Sequence, residues 1–148
     1  MPKLDKEQFE YLMSLSKQFK NTTNISLPAM QSNKVYDLIS STSLNEFYLD
    51  YDRRGSLELK HKVQLRDKTY TANPLIRLEI NTPPHINPDG KILSRNHIHI
   101  YHEIYGDSMA YELSDILPKL NRSSPLSIFT DFCVYCNIII DTNLQEVF

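Results

Sequence analysis

Two histidines stand one residue apart in His97-Ile98-His99-Ile100-Tyr101, a stretch whose apolar–polar alternation is that of a β-strand. Alternate residues of a strand share a face and sit about 7 Å apart along the backbone, so both imidazoles can reach one metal ion. Zinc asks for a third and usually a fourth ligand. His85, in the loop that precedes this strand, is the nearest further imidazole, with Asp107, Glu103 or a water to complete the set. The same side chains suit metal-free acid–base chemistry. One of His97 and His99 would take the 2′-hydroxyl proton of RNA, the other would protonate the leaving oxygen, and Arg77 would hold phosphate charge. The plainest alternative is that both rings hydrogen-bond to Glu79, Tyr101 or solvent.

Cys133 and Cys136 are the only cysteines, so there is no disulfide framework. At i and i+3 of a helix both thiols point one way, where His102 and His61 would complete a Cys-Cys-His-His zinc site. Buried free cysteines more commonly pack as small apolar side chains. Arg53 and Arg54 beside Tyr48 and Tyr51 read as a basic-aromatic contact for nucleic acid or as a solvated hairpin end, and Asp50 and Asp52 offset their charge.

Period-two segments bracketed by two helical ones must position these groups. A helix is predicted near residues 6 to 19, capped by Asp5 with Gln8 three residues on, and Phe9, Leu12, Met13, Ser16 and Phe19 form its stripe. Phe47, Leu49 and Tyr51 alternate with Tyr48, Asp50 and Asp52. A hairpin through Arg53-Arg54-Gly55-Ser56 leads to a strand over 57 to 66, with Leu57, Leu59, His61, Val63 and Leu65 inward and Glu58, Lys60, Lys62, Gln64 and Arg66 outward. Ile76, Leu78 and Ile80 repeat the pattern after Asn73-Pro74. The loop 82 to 90, with three prolines and an Asp-Gly, reads as rigid. The strand 96 to 105 follows, with His97, His99, Tyr101, Glu103 and Tyr105 on its polar side. Ser123-Ser124-Pro125 opens a C-terminal helix. The fold class implied is α+β, a twisted, mainly antiparallel sheet flanked by an N-terminal and a C-terminal helix in a single domain, 1–148.

Composition sets bounds on function. A chain of 148 residues, 41% hydrophobic, buries about 70% of its unfolded surface in one core. A formal net charge of −2 provides no global field for nucleic acid, so no direct sequence-specific nucleic-acid binding is expected. No apolar run reaches the length of a membrane span or a signal peptide, and the expected compartment is the cytoplasm of a bacterial host cell.

The combination of Pro74 to Ile80, the loop Pro84-His85-Ile86-Asn87-Pro88-Asp89-Gly90, the strand His97 to Tyr101 with Glu103, Tyr105-Gly106-Asp107 and the ending Phe132 to Ile138 resembles a small domain family of bacteria and their mobile elements. The resemblance covers roughly residues 70 to 140. It implies that His85, His97, His99, Tyr101, Glu103, Asp107 and Cys136 have more than packing roles. The chain departs from the pattern at His102 and at Met109-Ala110. It is also similar to small type II anti-CRISPR proteins, some of which bind metal. That similarity implies a zinc-binding, non-enzymatic inhibitor encoded on a mobile element, with a host protein such as a CRISPR-Cas effector nuclease as the partner whose DNA engagement it blocks. On this reading His85, His97 and His99 hold zinc, and Tyr48, Arg53, Arg54, Tyr101 and Tyr105 contact the partner. The alternative is a metal-independent ribonuclease toxin using His97 and His99.

Overall fold

The computed structural model describes residues 3–20, 24–55, 59–141 and 143–145, the last three by their backbone. The first helix, α1 (Lys6–Ser14), starts as its capping signal dictates: the Asp5 carboxylate accepts from the Gln8 amide at 2.8 Å, and the Gln8 side chain accepts from the Asp5 amide at 2.9 Å. It stops well short of the expected residue 19. Lys17 is completely buried, and its ammonium donates to the carbonyls of Met13, Leu15 and Cys136 at 3.3, 2.8 and 2.9 Å. Carbonyls that a continuing helix would have used are thereby satisfied, and the chain is released into a strand, β1 (Lys17–Phe19).

The remaining elements follow in order: β2 (Asn24–Ser26), β3 (Asn33–Ser40), β4 (Glu46–Asp52), β5 (His61–Asp67), β6 (Ile76–Ile80), β7 (His85–Ile86), β8 (Ile92–Leu93), β9 (His97–Ile100), β10 (Ala110–Glu112), α2 (Leu113–Ile116), α3 (Pro125–Tyr135), β11 (Ile138–Ile139) and β12 (Asn143–Gln145). Eight strands form one sheet in the order β10-β9-β6-β5-β4-β3-β1-β11, antiparallel at every step except β1 with β11. The architecture is α+β. α3 begins within the predicted Ser123-Ser124-Pro125 opening, with Ser124 as its cap and Pro125 in its first turn.

Period-two burial divides the sheet into a core face and a polar face. Phe47, Leu49, Tyr51, Val63, Leu65, Ile76, Leu78 and Ile98 join Leu12 of α1 and Ile128, Phe129, Phe132 and Cys133 of α3 in one cluster. Full burial of such a side chain stabilises by about 1.5–3 kcal/mol, so this cluster fixes the strand register. The alternating positions Asp50, Gln64, Arg66, Arg77, Glu79, His97 and His99 take the opposite face.

Two strand boundaries differ from the sequence reading. Leu57 and Glu58 lie outside the described residues, Leu59 is exposed, and β5 begins only at His61. β9 ends at Ile100, not near residue 105. The Tyr101 amide donates to the Leu75 carbonyl at 2.9 Å, its ring turns into the core against Phe9, and residues 102–106 close a turn through the His102–Gly106 bridge. Ile104 is therefore exposed and Tyr101 leaves the histidine face.

Candidate metal centre

β9 lies directly beside β6, and the antiparallel register pairs Arg77 with His99 and Glu79 with His97. Cross-strand partners share a face, so four polar side chains meet on the polar face of two neighbouring strands. Both histidines are almost fully buried, at 1% and 2% exposure, and Glu79 is 9% exposed.

Backbone carbonyls set the ring orientations. His97 Nδ1 donates to the Ser94 carbonyl at 2.8 Å and His99 Nδ1 to the Asp107 carbonyl at 2.7 Å. A carbonyl only accepts, so each ring carries a proton on Nδ1 and directs Nε2 inward. The two Nε2 atoms lie 3.6 Å (His97) and 3.0 Å (His99) from Oε2 of Glu79. Neutral rings would then present two lone pairs to a carboxylate, an arrangement that requires a cation. Arg77 supplies it in part, with Nε on Oε2 of Glu79 at 3.0 Å and Nη2 on Nε2 of His99 at 3.3 Å, and a proton on Nε2 or a metal ion can supply the rest. One ligand atom from each of Glu79, His97 and His99 lies within 4.8 Å of the others, so this group could hold a metal ion. A tetrahedral ion with bonds of about 2.0–2.1 Å separates its ligand atoms by about 3.3 Å, and the 3.0 and 3.6 Å separations bracket that value. The outward Nδ1–H to carbonyl bonds are the outer-shell pattern that orients metal-ligating imidazoles.

Arg77 and Asp107 buttress the cluster. Arg77 reaches Glu79 Oε2 through Nε at 3.0 Å, Asp107 Oδ2 through Nη1 at 2.6 Å, and His99 Nε2 through Nη2 at 3.3 Å. Electrostatics follow from these contacts. Burial alone would raise the Glu79 carboxyl, but in the metal-free protein hydrogen bonds from protonated Nε2 of His97 and His99 and the charges of Arg77 and Lys62 outweigh it and hold the group well below the usual carboxylate range. Burial also opposes charge on both imidazoles. Glu79 and the Ser94 carbonyl more than offset it at His97, whose pKa is raised, whereas burial and the nearby Arg77 charge leave that of His99 lowered.

The loop expected to be rigid is a hairpin, β7–β8, lying over this cluster. Its inward face carries His85 opposite the buried Leu93. The His85 ring centroid is 4.6 Å from that of His99 and 5.6 Å from that of His97, while its Nε2 donates to the Ser108 carbonyl at 2.7 Å. Asn87 fastens the hairpin to β10 by donating to the Ala110 carbonyl at 2.8 Å and accepting from the Ala110 amide at 2.9 Å. All three predicted imidazoles thus come together, with His85 packed on the other two and its ligand atom turned to Ser108. The chain belongs to DUF6978, a family of unknown function. The match spans residues 4–138, and so includes every residue of this cluster. Neither the curated proteins nor the solved structures contain a match to this DUF6978 chain.

Glu79 completes the group that could hold a metal ion, and sequence reasoning did not count it as a ligand, reading it as a hydrogen-bonding partner of the histidines and a neighbour of Arg77 in the acid–base set. Its signal was the alternation Arg77-Leu78-Glu79, which puts two ionic groups on one face. Other candidates disperse. Cys133 and Cys136 are buried with thiols pushed up, Cys136 to about 12, by desolvation. His61 instead binds the Tyr51 hydroxyl through Nδ1 at 2.7 Å, and His102 Nδ1 accepts from the Ile104 amide at 3.0 Å, so no Cys–His group assembles among the described residues.

The residues expected to contact a partner take different positions in the fold. Tyr101 is buried with its hydroxyl on the Leu4 carbonyl at 2.9 Å, and Arg53 is buried with Nη1 on the Pro28 carbonyl at 2.9 Å. Their polar tips find backbone partners inside the fold, so neither presents a surface. Tyr48 is half-buried beneath Arg66 and Lys68, Arg54 is exposed and paired with Asp52, and Tyr105 is exposed beside His102. Among the described residues no helix is long and apolar enough to cross a membrane.

Proposed function

We propose that this chain is a zinc-binding protein that acts by stoichiometric binding to another protein and not by turnover. The observation that carries the metal is the meeting of two Nε2 lone pairs and a carboxylate at 3.0 and 3.6 Å, with both Nδ1 protons committed to carbonyls. Glu79, His97 and His99 are the ligands in place. His85 becomes the fourth when its ring gives up Ser108, converting three ligands into a closed set of the kind that stabilises structure. The ion would then tie the β7–β8 hairpin to the sheet.

The burial of His97 and His99 favours binding over catalysis, because an acid–base pair must touch its substrate and these rings are 1% and 2% exposed. The resemblance noted in the sequence makes a bacterial defence nuclease of the CRISPR-Cas type the partner to test first, with occlusion of its DNA as the mode of action. One observation favours the second reading, a ribonuclease: the two imidazoles shift in opposite directions, as an acid and a base would.

Elemental analysis of untagged protein, wild type beside a His97→Ala/His99→Ala variant, tests the metal: one zinc per chain is expected, and none in the variant. Zinc retained at its original stoichiometry in that variant would overturn the assignment. Titration against the nuclease tests the mode of action. Inhibition should saturate near one equivalent, whereas loss of RNA or of the effector at a small fraction of an equivalent would establish an enzyme.

A further inference from the structure

A second polar group gathers at one end of the sheet, on the core side. Arg53 follows β4 and is buried. The pairs Tyr51–Val63 and Asp52–Lys62, extended by one step, set it opposite His61, and its charge depresses the pKa of that imidazole. Nη1 of Arg53 is held by the Pro28 carbonyl, but Nε is sealed from solvent without a hydrogen-bond partner among the described residues, and none of their carboxylates pairs with the guanidinium. His61 pairs with Ile80, two residues before Thr82, whose buried hydroxyl is likewise without a partner. Arg53 and Thr82 thus stand on either side of the His61 strand in backbone register, at the same end of β4, β5 and β6.

The donor inventory points to one kind of occupant. With the Tyr51 hydroxyl donating to His61 Nδ1, the tautomer the site uses, the ring proton sits on Nε2. The ring is held neutral, its pKa lowered to about 4 by burial and by Arg53. Arg53 Nε–H, His61 Nε2–H and the Thr82 hydroxyl can all donate, and the net charge is +1. Water could satisfy Thr82 but would not neutralise a buried guanidinium, and the guanidinium's planar fork matches an oxyanion. A metal cation is repelled by the same charge. We propose that Arg53, His61 and Thr82 form a binding site for a compact oxyanion, the phosphate or carboxylate group of a small ligand. The site is independent of the zinc reading, which uses the opposite face of the sheet.

The test is thermal unfolding of the full chain, dialysed into chloride, with inorganic phosphate or acetate replacing chloride at constant ionic strength. A ligand of the folded state at a hundredfold excess over Kd raises the folding equilibrium constant about hundredfold, so the midpoint should climb and the effect saturate. A response to phosphate assigns a phosphate-bearing ligand, and a response to acetate a carboxylate. Arg53→Met should fold at least as well as wild type in chloride, since the unmatched charge is gone, and should lose the anion response. Thr82→Val should weaken anion binding about tenfold. No response to either anion beyond that to chloride overturns the site, as does an undiminished response in Arg53→Met. Should Arg53→Met fail to fold, Thr82→Val decides, and unchanged anion affinity in that variant overturns the proposal.

Discussion

Replacing Glu79 by Gln keeps the shape of the side chain and removes the charge on which His97, His99 and Arg77 converge. Removing one partner of a fully buried ion pair costs about 3–5 kcal/mol. Arg77 retains Asp107 at 2.6 Å and the amide oxygen still accepts one hydrogen bond, so about 2–3 kcal/mol is expected for the metal-free protein. At about 2–4 °C per kcal/mol for a domain of this size, the midpoint should fall by about 4–12 °C. The acid limb should change as well. The folded-state carboxyl titrates far below its unfolded value, so its contribution is complete above about pH 4.5 and drains away as pH falls below that. Glu79→Gln should flatten this slope. The assay is thermal unfolding of both proteins in chelator and in saturating zinc. Zinc should raise the wild-type midpoint and have little effect on the variant, with affinity reduced at least tenfold. Unchanged zinc affinity would remove Glu79 from the ligand set, and an unchanged metal-free midpoint would refute the ionic network itself.

Zinc bound by imidazoles should be released as pH falls below about 6, where the rings take up protons, and a chromophoric chelator can follow its loss. Burial holds Lys17 near pKa 8 against an ordinary 10.5, so its stabilising contribution is complete above about 10.5 and is lost as pH falls through 8. Urea unfolding of wild type and Lys17→Met should therefore differ by about 3 kcal/mol more at pH 10.5 than at pH 8, in favour of wild type, and a pH-independent difference would contradict the burial argument. Asn87→Ala deletes both bonds to Ala110, about 2 kcal/mol, and should speed amide exchange across residues 85–93 while leaving β4 and β5 protected.

What could be read from the sequence was what repeats. Asp5 with Gln8, the alternation of Phe47, Leu49 and Tyr51 and of His61, Val63 and Leu65, and Ser124-Pro125 each state a local preference that the fold obeys. The errors came from side chains with one apolar and one polar end. Lys17 fell within the predicted helix 6 to 19 and off its apolar stripe, yet it is buried with its ammonium over the Phe47 ring and donating to three carbonyls. Tyr101 kept strand parity with His97 and His99 in the sequence pattern, but β9 ends at Ile100 and the ring lies in the core with its hydroxyl on Leu4. Whether such a residue faces in or out depends on whether a distant backbone group waits for its polar tip, here Leu4 for Tyr101 and Pro28 for Arg53, and no local pattern encodes that.

The candidate metal centre shows the same division. His97 and His99 share a face by period two alone, so the pair was legible. Glu79 needed the register of β6 against β9, which is fixed by the core-face contacts of Leu78 and Ile98 and not by anything polar. A one-residue slip would carry Arg77 and Glu79 to the opposite side of the sheet and leave the histidines facing apolar side chains. His85 arrives by a third route, through a hairpin whose anchor is Asn87 on Ala110. The centre therefore forms only when core packing, hairpin docking and the carbonyls of Ser94 and Asp107 are all in place, and an ion bound there would report on and reinforce the whole β6–β10 half of the sheet. That dependence argues for a structural role: a reactive site tolerates a mobile lid, whereas this hairpin is fastened through both the His85 ring and the Asn87 side chain.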